Sequence, residues 1–285
     1  MSQSQDKTFL GTEPIGKLLL KLAIPTVVAQ LVNMLYNIVD RIYIGHMPGD
    51  GALALTGVGV CMPVIMIISA FAAFIASGGA PRASIFMGKQ DHNTAEKILG
   101  GCFSLQIVIS LVLTAVLLIW GRGLLMAFGA SENTIEYAVS YMTIYALGTI
   151  FVQLTLGMNA FITAQGFAKI SMLTTVIGAV INIVLDPILI FLFGLGVRGA
   201  AIATVLSQCV SAALTVLCLV KSDGMCHLDL RRLHFHRDKF LRIMQVGLPA
   251  GMQSVIFNIS NVLIQSSVNS FGAVTVAGNT AAANI

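Results

Sequence analysis

The sequence predicts an all-α protein that crosses a membrane several times. Of the 285 residues, 56% are hydrophobic and only 10% are charged. The mean hydropathy of +0.89 lies far above that of a domain with a solvated surface. Apolar segments of about 20 residues or more, enough to cross a bilayer as a helix, alternate with polar connections along the chain. This pattern places the chain in a bilayer.

Seven segments are predicted to span the membrane, and the start of an eighth follows near Ala273. They cover residues 18–45, 52–80, 98–120, 136–164, 170–194, 199–221 and 240–270. We therefore expect a six-helix N-terminal lobe over 15–221, after a short segment at 1–14. A polar, basic linker is expected over 222–239, and residues 240–285 are expected to begin a second lobe.

The connection between the second and third spans, residues 81–99, is expected to hold a short helix on the cytoplasmic surface. Residues Asn93 to Glu96 match the capping-box pattern, in which two side chains satisfy exposed N–H groups at a helix start. The predicted surface helix begins there.

The basic residues indicate the orientation of the chain. If it starts inside the cell, the cytoplasmic segments hold 13 of the 16 Lys and Arg residues. The positive-inside rule then places the N-terminus in the cytoplasm. The net charge of +4 reflects this topology, and no nucleic-acid partner is expected. Five cysteines without paired spacing and an isolated pair, His234 and His236, predict neither a disulfide framework nor a metal site.

A faint internal repeat relates the two predicted lobes. Residues 245–253 echo 21–30, each with a proline near the start of an apolar span, and Asn261 falls where Asn37 does. Parallel repeats of this kind are typical of transporters, whose substrate and coupling-ion sites lie at the interface of the repeats. Because an eighth span only begins before Ile285, we expect the sequence to hold part of the second lobe.

Two carboxyl groups are unusual in their position. Of the twelve acidic residues, only Asp40 and Asp186 lie inside predicted spans. A charged side chain at the middle of a span costs about 2.5–3.5 kcal/mol on insertion scales, so such residues are normally kept for a pathway or a relay. From a helical rise of about 1.5 Å per residue, both carboxylates are expected in the outer half of the membrane, where they could share one site.

Polar side chains accompany both carboxylates at helical spacing and therefore share a face with them. The set comprises Asn33, Tyr36 and Asn37 beside Asp40, Asn182 beside Asp186, Thr204 and Gln208 in the sixth span, and Gln153 and Asn159 in the fourth. Together these residues could line one water-filled cavity.

Such a set of side chains suits a cation. Burial favours the neutral form of a carboxyl group, and a second carboxyl group nearby favours it further, which allows proton exchange near neutral pH. The same oxygens, beside Asn and Thr side chains, could instead hold sodium. Pro187 removes a backbone donor directly after Asp186 and is expected to permit a charge-dependent kink. Apart from a coupling proton or sodium ion, no cofactor is expected.

Structural interpretations stay open for several of these residues. Asp40 could pair with Arg41 at the outer end of the first span. Amide side chains in membrane helices often only hydrogen-bond a neighbouring helix, at about 0.6 kcal/mol on average. Taken singly, Asn33, Gln153 and Gln208 are better explained in this way.

Several motifs follow one another in a characteristic order: Pro25, Tyr36–Gly45, Asn159–Gly166, Asn182–Pro187 and Gly199–Thr204. This order resembles the multidrug and toxic compound extrusion (MATE) family, in its bacterial branch with an Asp in the first helix. The resemblance implies two six-helix bundles around a V-shaped cavity. It also implies export of cationic or amphipathic small molecules, such as drugs and toxins, in exchange for protons or sodium.

The resemblance also assigns roles to residues. It implies that Asp40 and Asp186 are the ion-coupling carboxylates of the N-terminal lobe, and that Asn159 is a further polar member of the cavity. Around the carboxylates it places Tyr36, Asn182 and Thr204. A multi-pass protein of the bacterial plasma membrane, monomeric at full length, is the expected context.

Three other classes of membrane protein remain as alternatives. A flippase for lipid-linked precursors would handle anionic head groups, yet only Arg41 lies near a span. A membrane enzyme would need clustered catalytic groups near one interface, and the connections offer none. A passive channel is the third alternative, but the half-repeat and the buried carboxylates favour alternating access.

Overall fold

The computed structural model describes residues 13–49, 51–221, 226–229, 245 and 247–249, and every regular element among them is helical. The helices are α1 (Ile15–Gly45), α2 (Gly51–Gly88), α3 (His92–Ala127), α4 (Ile135–Leu147), α5 (Thr149–Ala164), α6 (Ala168–Pro187), a π-helical turn (Ile188–Leu192) and α7 (Val197–Lys221). These helices coincide with the six spans predicted within residues 15–221.

By length and composition the described helices suit a membrane. Five segments are individually long and apolar enough to cross it, one of them being α6 with its π-helical turn. A sixth span results if α4 and α5, which are bent by 57° relative to each other, count as one. The chain is thus a multi-pass, all-helical membrane protein in its described part. The predicted seventh and eighth spans, almost all of the linker and most of the segment 1–14 lie outside the described residues.

The short surface helix expected between the second and third spans is not formed. α2 runs on through Pro81 to Gly88, because Ala83 and Met87 on this extension are buried against the bundle. α3 then begins at His92, and its N-cap is Asp91, whose carboxylate accepts a hydrogen bond from the Thr94 amide at 3.0 Å. The prediction of a separate helix, starting at a capping box in residues 93–96, is therefore wrong.

The bend between α4 and α5 occurs at Gly148. A Cβ atom at this position would collide with the side chain of Val205 on α7. The bend therefore brings the start of α5 against α7 at a distance that only glycine allows. It also turns Tyr145, near the end of α4, towards the inside of the bundle, where its side chain is 5% exposed.

Two apolar clusters hold the described helices together, one at each end of the bundle. One cluster centres on Ile44, Val58, Ile68, Leu125 and Met142, and the other on Ile75, Leu99, Phe103, Phe161 and Leu219. α1 contributes little to either, and most of its apolar side chains are exposed, as expected of a helix that faces lipid or another part of the protein. Its main packing partner is α6.

Candidate functional site

A cavity of about 570 Å³ lies inside the bundle, between α1, α5, α6 and α7, with smaller contributions from α2 and α4. More than half of its lining residues carry a hydroxyl or an amide group. Of the residues singled out from the sequence, Asn33, Tyr36, Asn37, Asn159, Asn182 and Gln208 line it. No Lys, Arg, Asp or Glu within the described ranges does so. The cavity is therefore polar but carries no charge on its wall.

The two carboxyl groups lie directly behind this wall. Asp40 on α1 is 6% exposed and Asp186 at the end of α6 is 0% exposed. Asn182, one helical turn before Asp186, lines the cavity and donates its amide hydrogen to Asp186 Oδ1 at 3.3 Å. Asp186 is thus connected to the cavity by a single side chain.

Packing of α1 on α6 brings the two carboxyl groups into one region. They lie close enough for their charges to interact. The Tyr36 side chain, one turn before Asp40, lies beside the amides of Asn37 and Gln208 and within electrostatic range of both carboxyl groups. The residues around Asp40 and those around Asp186 therefore form one site.

Several oxygen atoms of this site accept no hydrogen bond from the residues that the structure describes. They are Asp40 Oδ1, Asn182 Oδ1, Asp186 Oδ2 and Gln208 Oε1, and all four are shielded from solvent. Buried acceptors are normally satisfied, because an unpaired one costs about 1–3 kcal/mol. Clustered oxygen acceptors of this kind suit a bound proton or a hard cation.

Neither carboxyl group forms an ion pair with a Lys or Arg of the described part. Arg41 follows Asp40 in sequence and interacts with it over a distance, but its guanidinium donates to the sulfur of Met62 at 3.2 Å. The alternative in which Asp40 only balances Arg41 at the outer interface is thus not supported by a direct contact.

Two tyrosines that sequence reasoning missed complete the site. Tyr141 and Tyr145 stack with ring centroids 6.0 Å apart and are both buried. Tyr141 lies beside Thr204 and near Asp40, whereas Tyr145 lines the cavity. The signal that would have identified them is their spacing of four residues, since that spacing places both on one helix face.

Of the three remaining predicted residues, Asn159 lines the cavity, whereas Thr204 and Gln153 do not. Thr204 lies next to Tyr141, outside the cavity wall, and donates its hydroxyl to the Ala200 carbonyl at 3.0 Å. Asn159 lines the cavity and accepts a hydrogen bond from Thr174 at 3.1 Å, which joins α5 to α6. Gln153 does not line the cavity; it is fully buried and donates to the Ile68 carbonyl of α2 at 2.8 Å. Gln153 therefore acts between helices.

The helix changes its geometry directly after Asp186. Pro187 ends α6, and the next five residues form a π-helical turn closed by a hydrogen bond from the Phe193 amide to the Ile188 carbonyl at 3.0 Å. Phe191 in this turn meets Tyr43 of α1 edge to face, with ring centroids 6.1 Å apart. The expected irregularity at Pro187 is thus a change of helix type, and it contacts the helix that carries Asp40.

Comparison with known proteins identifies the family. The family model MatE matches residues 25–188. The multidrug export protein MepA of Staphylococcus aureus is 22% identical over 269 residues, which cover 94% of this chain and 59% of MepA. MepA of Staphylococcus haemolyticus is 23% identical over 92% of this chain and 58% of its own length.

Solved structures give the same result. A MOP superfamily transporter from Pyrococcus furiosus, described as having a binding pocket of reverse polarity, is 28% identical with a TM-score of 0.88, over 100% of this chain and 62% of its own. An outward-facing multidrug resistance transporter of the MATE family is 28% identical with a TM-score of 0.87, over 98% of this chain and 62% of its own. This chain spans about three fifths of the length of these relatives. Since the family model matches more than half of the sequence and includes both Asp40 and Asp186, the chain belongs to the MatE family.

Proposed function

We propose that the chain works in a secondary active antiporter that exports cationic or amphipathic small molecules in exchange for protons or sodium ions. The observation that carries this proposal is the pair of buried carboxyl groups, Asp40 and Asp186, directly behind the wall of a polar cavity. Relatives named multidrug export proteins support the substrate class.

The arrangement explains why one site can serve two cations in turn. The cavity wall is neutral, so an organic cation inside it is attracted mainly by the two carboxyl groups behind the wall. When a proton or a sodium ion occupies the carboxyl groups, that attraction is removed. Binding of the coupling ion and of the substrate are then mutually unfavourable, which is the requirement for exchange.

The buried oxygen atoms without a hydrogen bond are the proposed ligands of the coupling ion. Asp186 Oδ2 and Asn182 Oδ1 receive no hydrogen bond from a described residue, and neither does Asp40 Oδ1. A proton would occupy one carboxyl oxygen and donate to a neighbouring acceptor. A sodium ion would be coordinated by several of these oxygens together. Both ions fit this donor set, so we propose the pair of ions without choosing between them.

The proposed setting is the bacterial plasma membrane, with the N-terminus in the cytoplasm and the full-length protein a monomer. The distribution of Lys and Arg supports this orientation. Parallel lobes related by a repeat would place a second set of helices opposite the cavity, as in other transporters of this kind.

A transport experiment tests the proposal. Inverted membrane vesicles that contain the protein are supplied with a fluorescent organic cation and with a proton gradient, a sodium gradient or neither. We expect the vesicles to accumulate the cation only when one gradient is present, and ionophores that collapse both gradients should abolish accumulation. Undiminished accumulation without either gradient would refute coupled export.

No observation favours the flippase alternative. An anionic head group needs basic side chains on the path, and the described residues place no Lys or Arg on the cavity wall. Arg41 contacts Met62 on α2 and does not face the cavity.

A further inference from the structure

A second concave site lies on the outside of the bundle, away from the cavity. It is a groove of about 300 Å³ between the α5–α6 connection, the start of α6 and the last two turns of α7. Its lining residues include Gln165, Phe167, Ile170, Leu217, Leu219 and Lys221, and none of these lines the cavity. This cytoplasmic groove, as we call it from the proposed orientation, is apolar apart from Gln165 and Lys221.

The walls of the cytoplasmic groove are fixed by hydrogen bonds. Gln165 is 2% exposed, and its side-chain oxygen accepts a hydrogen bond from the Cys226 amide at 3.2 Å. The Leu219 carbonyl accepts one from the Leu228 amide at 3.0 Å. Cys226 and Leu228 are thus hydrogen-bonded to two residues that line the groove.

The mouth of the groove is apolar and lies within membrane-spanning helices. Ile170 and Leu217 border it with 39% and 48% of their surface exposed. Apolar side chains exposed at this depth meet lipid chains, since the bilayer is their solvent. The groove therefore opens towards the bilayer.

Positive charge is concentrated at one end of the groove. Lys221 lines it at the end of α7, and Lys169, which is not itself a lining residue, precedes the lining residue Ile170 in the first turn of α6. Because α6 and α7 are antiparallel, both lysines lie on the same side of the bundle. Neither forms an ion pair with a described residue.

We propose that the cytoplasmic groove binds an anionic phospholipid of the inner leaflet, with an acyl chain along the groove and the phosphate at Lys221 and Lys169. An apolar groove with a basic rim at the membrane surface matches the two parts of such a lipid. Basic pockets between membrane helices on the cytoplasmic side are suited to anionic head groups. The site is separate from the cavity, so the proposal rests on the proposed orientation of the chain but not on its transport activity.

Lipid quenching of tryptophan fluorescence tests this assignment. The sequence has a single tryptophan, Trp120, which is 60% exposed on α3. In a Trp120→Phe background, Leu217→Trp places a reporter in the groove, and Leu111→Trp places one at a lipid-exposed position of α3, outside it. Each protein is reconstituted with brominated phosphatidylglycerol or brominated phosphatidylcholine of the same chain length, over a range of lipid fractions.

We expect the groove reporter to be quenched by phosphatidylglycerol at a lower lipid fraction than by phosphatidylcholine. The expected preference is about fivefold for each lysine. Lys169→Gln with Lys221→Gln should remove the preference, whereas the matched pair Lys89→Gln with Lys97→Gln, exposed on the same side of the membrane, should keep it. The reporter at position 111 should show no preference.

Three results would overturn the proposal. The first is equal quenching of the groove reporter by both lipids with the lysines intact. The second is a preference that survives the Lys169 and Lys221 substitutions. The third is displacement of phosphatidylglycerol by inorganic phosphate, which would mean that the basic rim binds a soluble anion and that no lipid is selected.

Discussion

Two groups of buried polar side chains in this bundle differ in kind. Between α1 and α6, Asn182 lines a polar cavity, and the carboxyl groups of Asp40 and Asp186 are buried behind its wall. Between α2, α3 and α5, Gln106 and Gln153 are each 0% exposed and lie away from the cavity wall. Burial is equally complete in both groups, so burial alone does not identify a functional residue.

The difference lies in charge and in access. A carboxyl group changes its charge when it takes up a proton or a cation, whereas an amide does not. Asp186 is one side chain away from the cavity through Asn182, while Gln153 is engaged with the Ile68 carbonyl of α2. Substitutions in the first group should therefore change transport, and substitutions in the second should change stability.

The largest effect is expected for Asp186→Asn. The amide keeps the size of the side chain but can neither bind a proton at neutral pH nor neutralise a cation. Gradient-driven accumulation of an organic cation in inverted vesicles should fall to the level of vesicles without the protein. The thermal unfolding midpoint should not decrease, since a buried carboxyl group is replaced by a neutral one.

The matched control for this substitution is Glu136→Gln. The Glu136 side chain is 71% exposed and pairs with Arg122 at 2.8 Å. This substitution therefore also removes a carboxylate, but at the surface. Such exposed pairs contribute about 0–1 kcal/mol. Transport that is lost equally in both variants, or retained in Asp186→Asn, would contradict the division between the two groups.

A smaller effect, confined to stability, is expected for Gly157→Ala. A Cβ atom at this position would collide with the side-chain amide of Gln106, which is fully buried and cannot swing into solvent. Overpacking of this kind costs about 1–3 kcal/mol and should lower the thermal unfolding midpoint in detergent. Gly101→Ala on α3 is the control, because a Cβ there meets no atom within 4 Å.

A double substitution measures the contribution of the contact between position 157 and Gln106. Combining Gly157→Ala with Gln106→Ala should recover part of the lost stability, since the colliding amide is removed. Transport by the folded fraction should stay at the wild-type rate. A transport defect in Gly157→Ala without a change in unfolding would place this region in the transport path and contradict the comparison.

The smallest effect is expected for Gln153→Ala. It removes one hydrogen bond between α5 and α2, and such bonds contribute about 0.6 kcal/mol on average in membrane proteins. The unfolding midpoint should decrease slightly, and accumulation of the organic cation should be unchanged. Loss of accumulation with an unaltered unfolding midpoint would instead show that Gln153 takes part in transport.

The sequence was sufficient to predict the six spans of residues 15–221 and the two carboxyl groups that are buried within them. A span needs a long apolar segment, so its existence depends on composition alone, and all six spans over residues 15–221 coincide with helices. The cost of a carboxylate in a membrane makes Asp40 and Asp186 candidate site residues, and the structure shows both of them buried. The contact of Asn182 with Asp186 follows from their spacing of one helical turn.

What the sequence could not provide depends on how the helices are rotated and joined. The spans are apolar on nearly all sides, so periodicity does not show which face meets the cavity, and Gln153 was placed there although it faces α2. The extension of α2 to Gly88, the bend at Gly148 and the π-helical turn after Pro187 depend on tertiary contacts. Such contacts leave little trace in a single sequence.

The most direct measurement of the central claim follows ion and substrate together. Proteoliposomes that contain the protein are loaded with a fluorescent organic cation and with an indicator of pH or of sodium, and both signals are recorded during efflux. The account predicts that the coupling ion moves opposite to the substrate and in step with it, and that Asp40→Asn with Asp186→Asn abolishes the ion movement. Efflux of the organic cation by the wild-type protein without movement of protons or sodium would contradict the account.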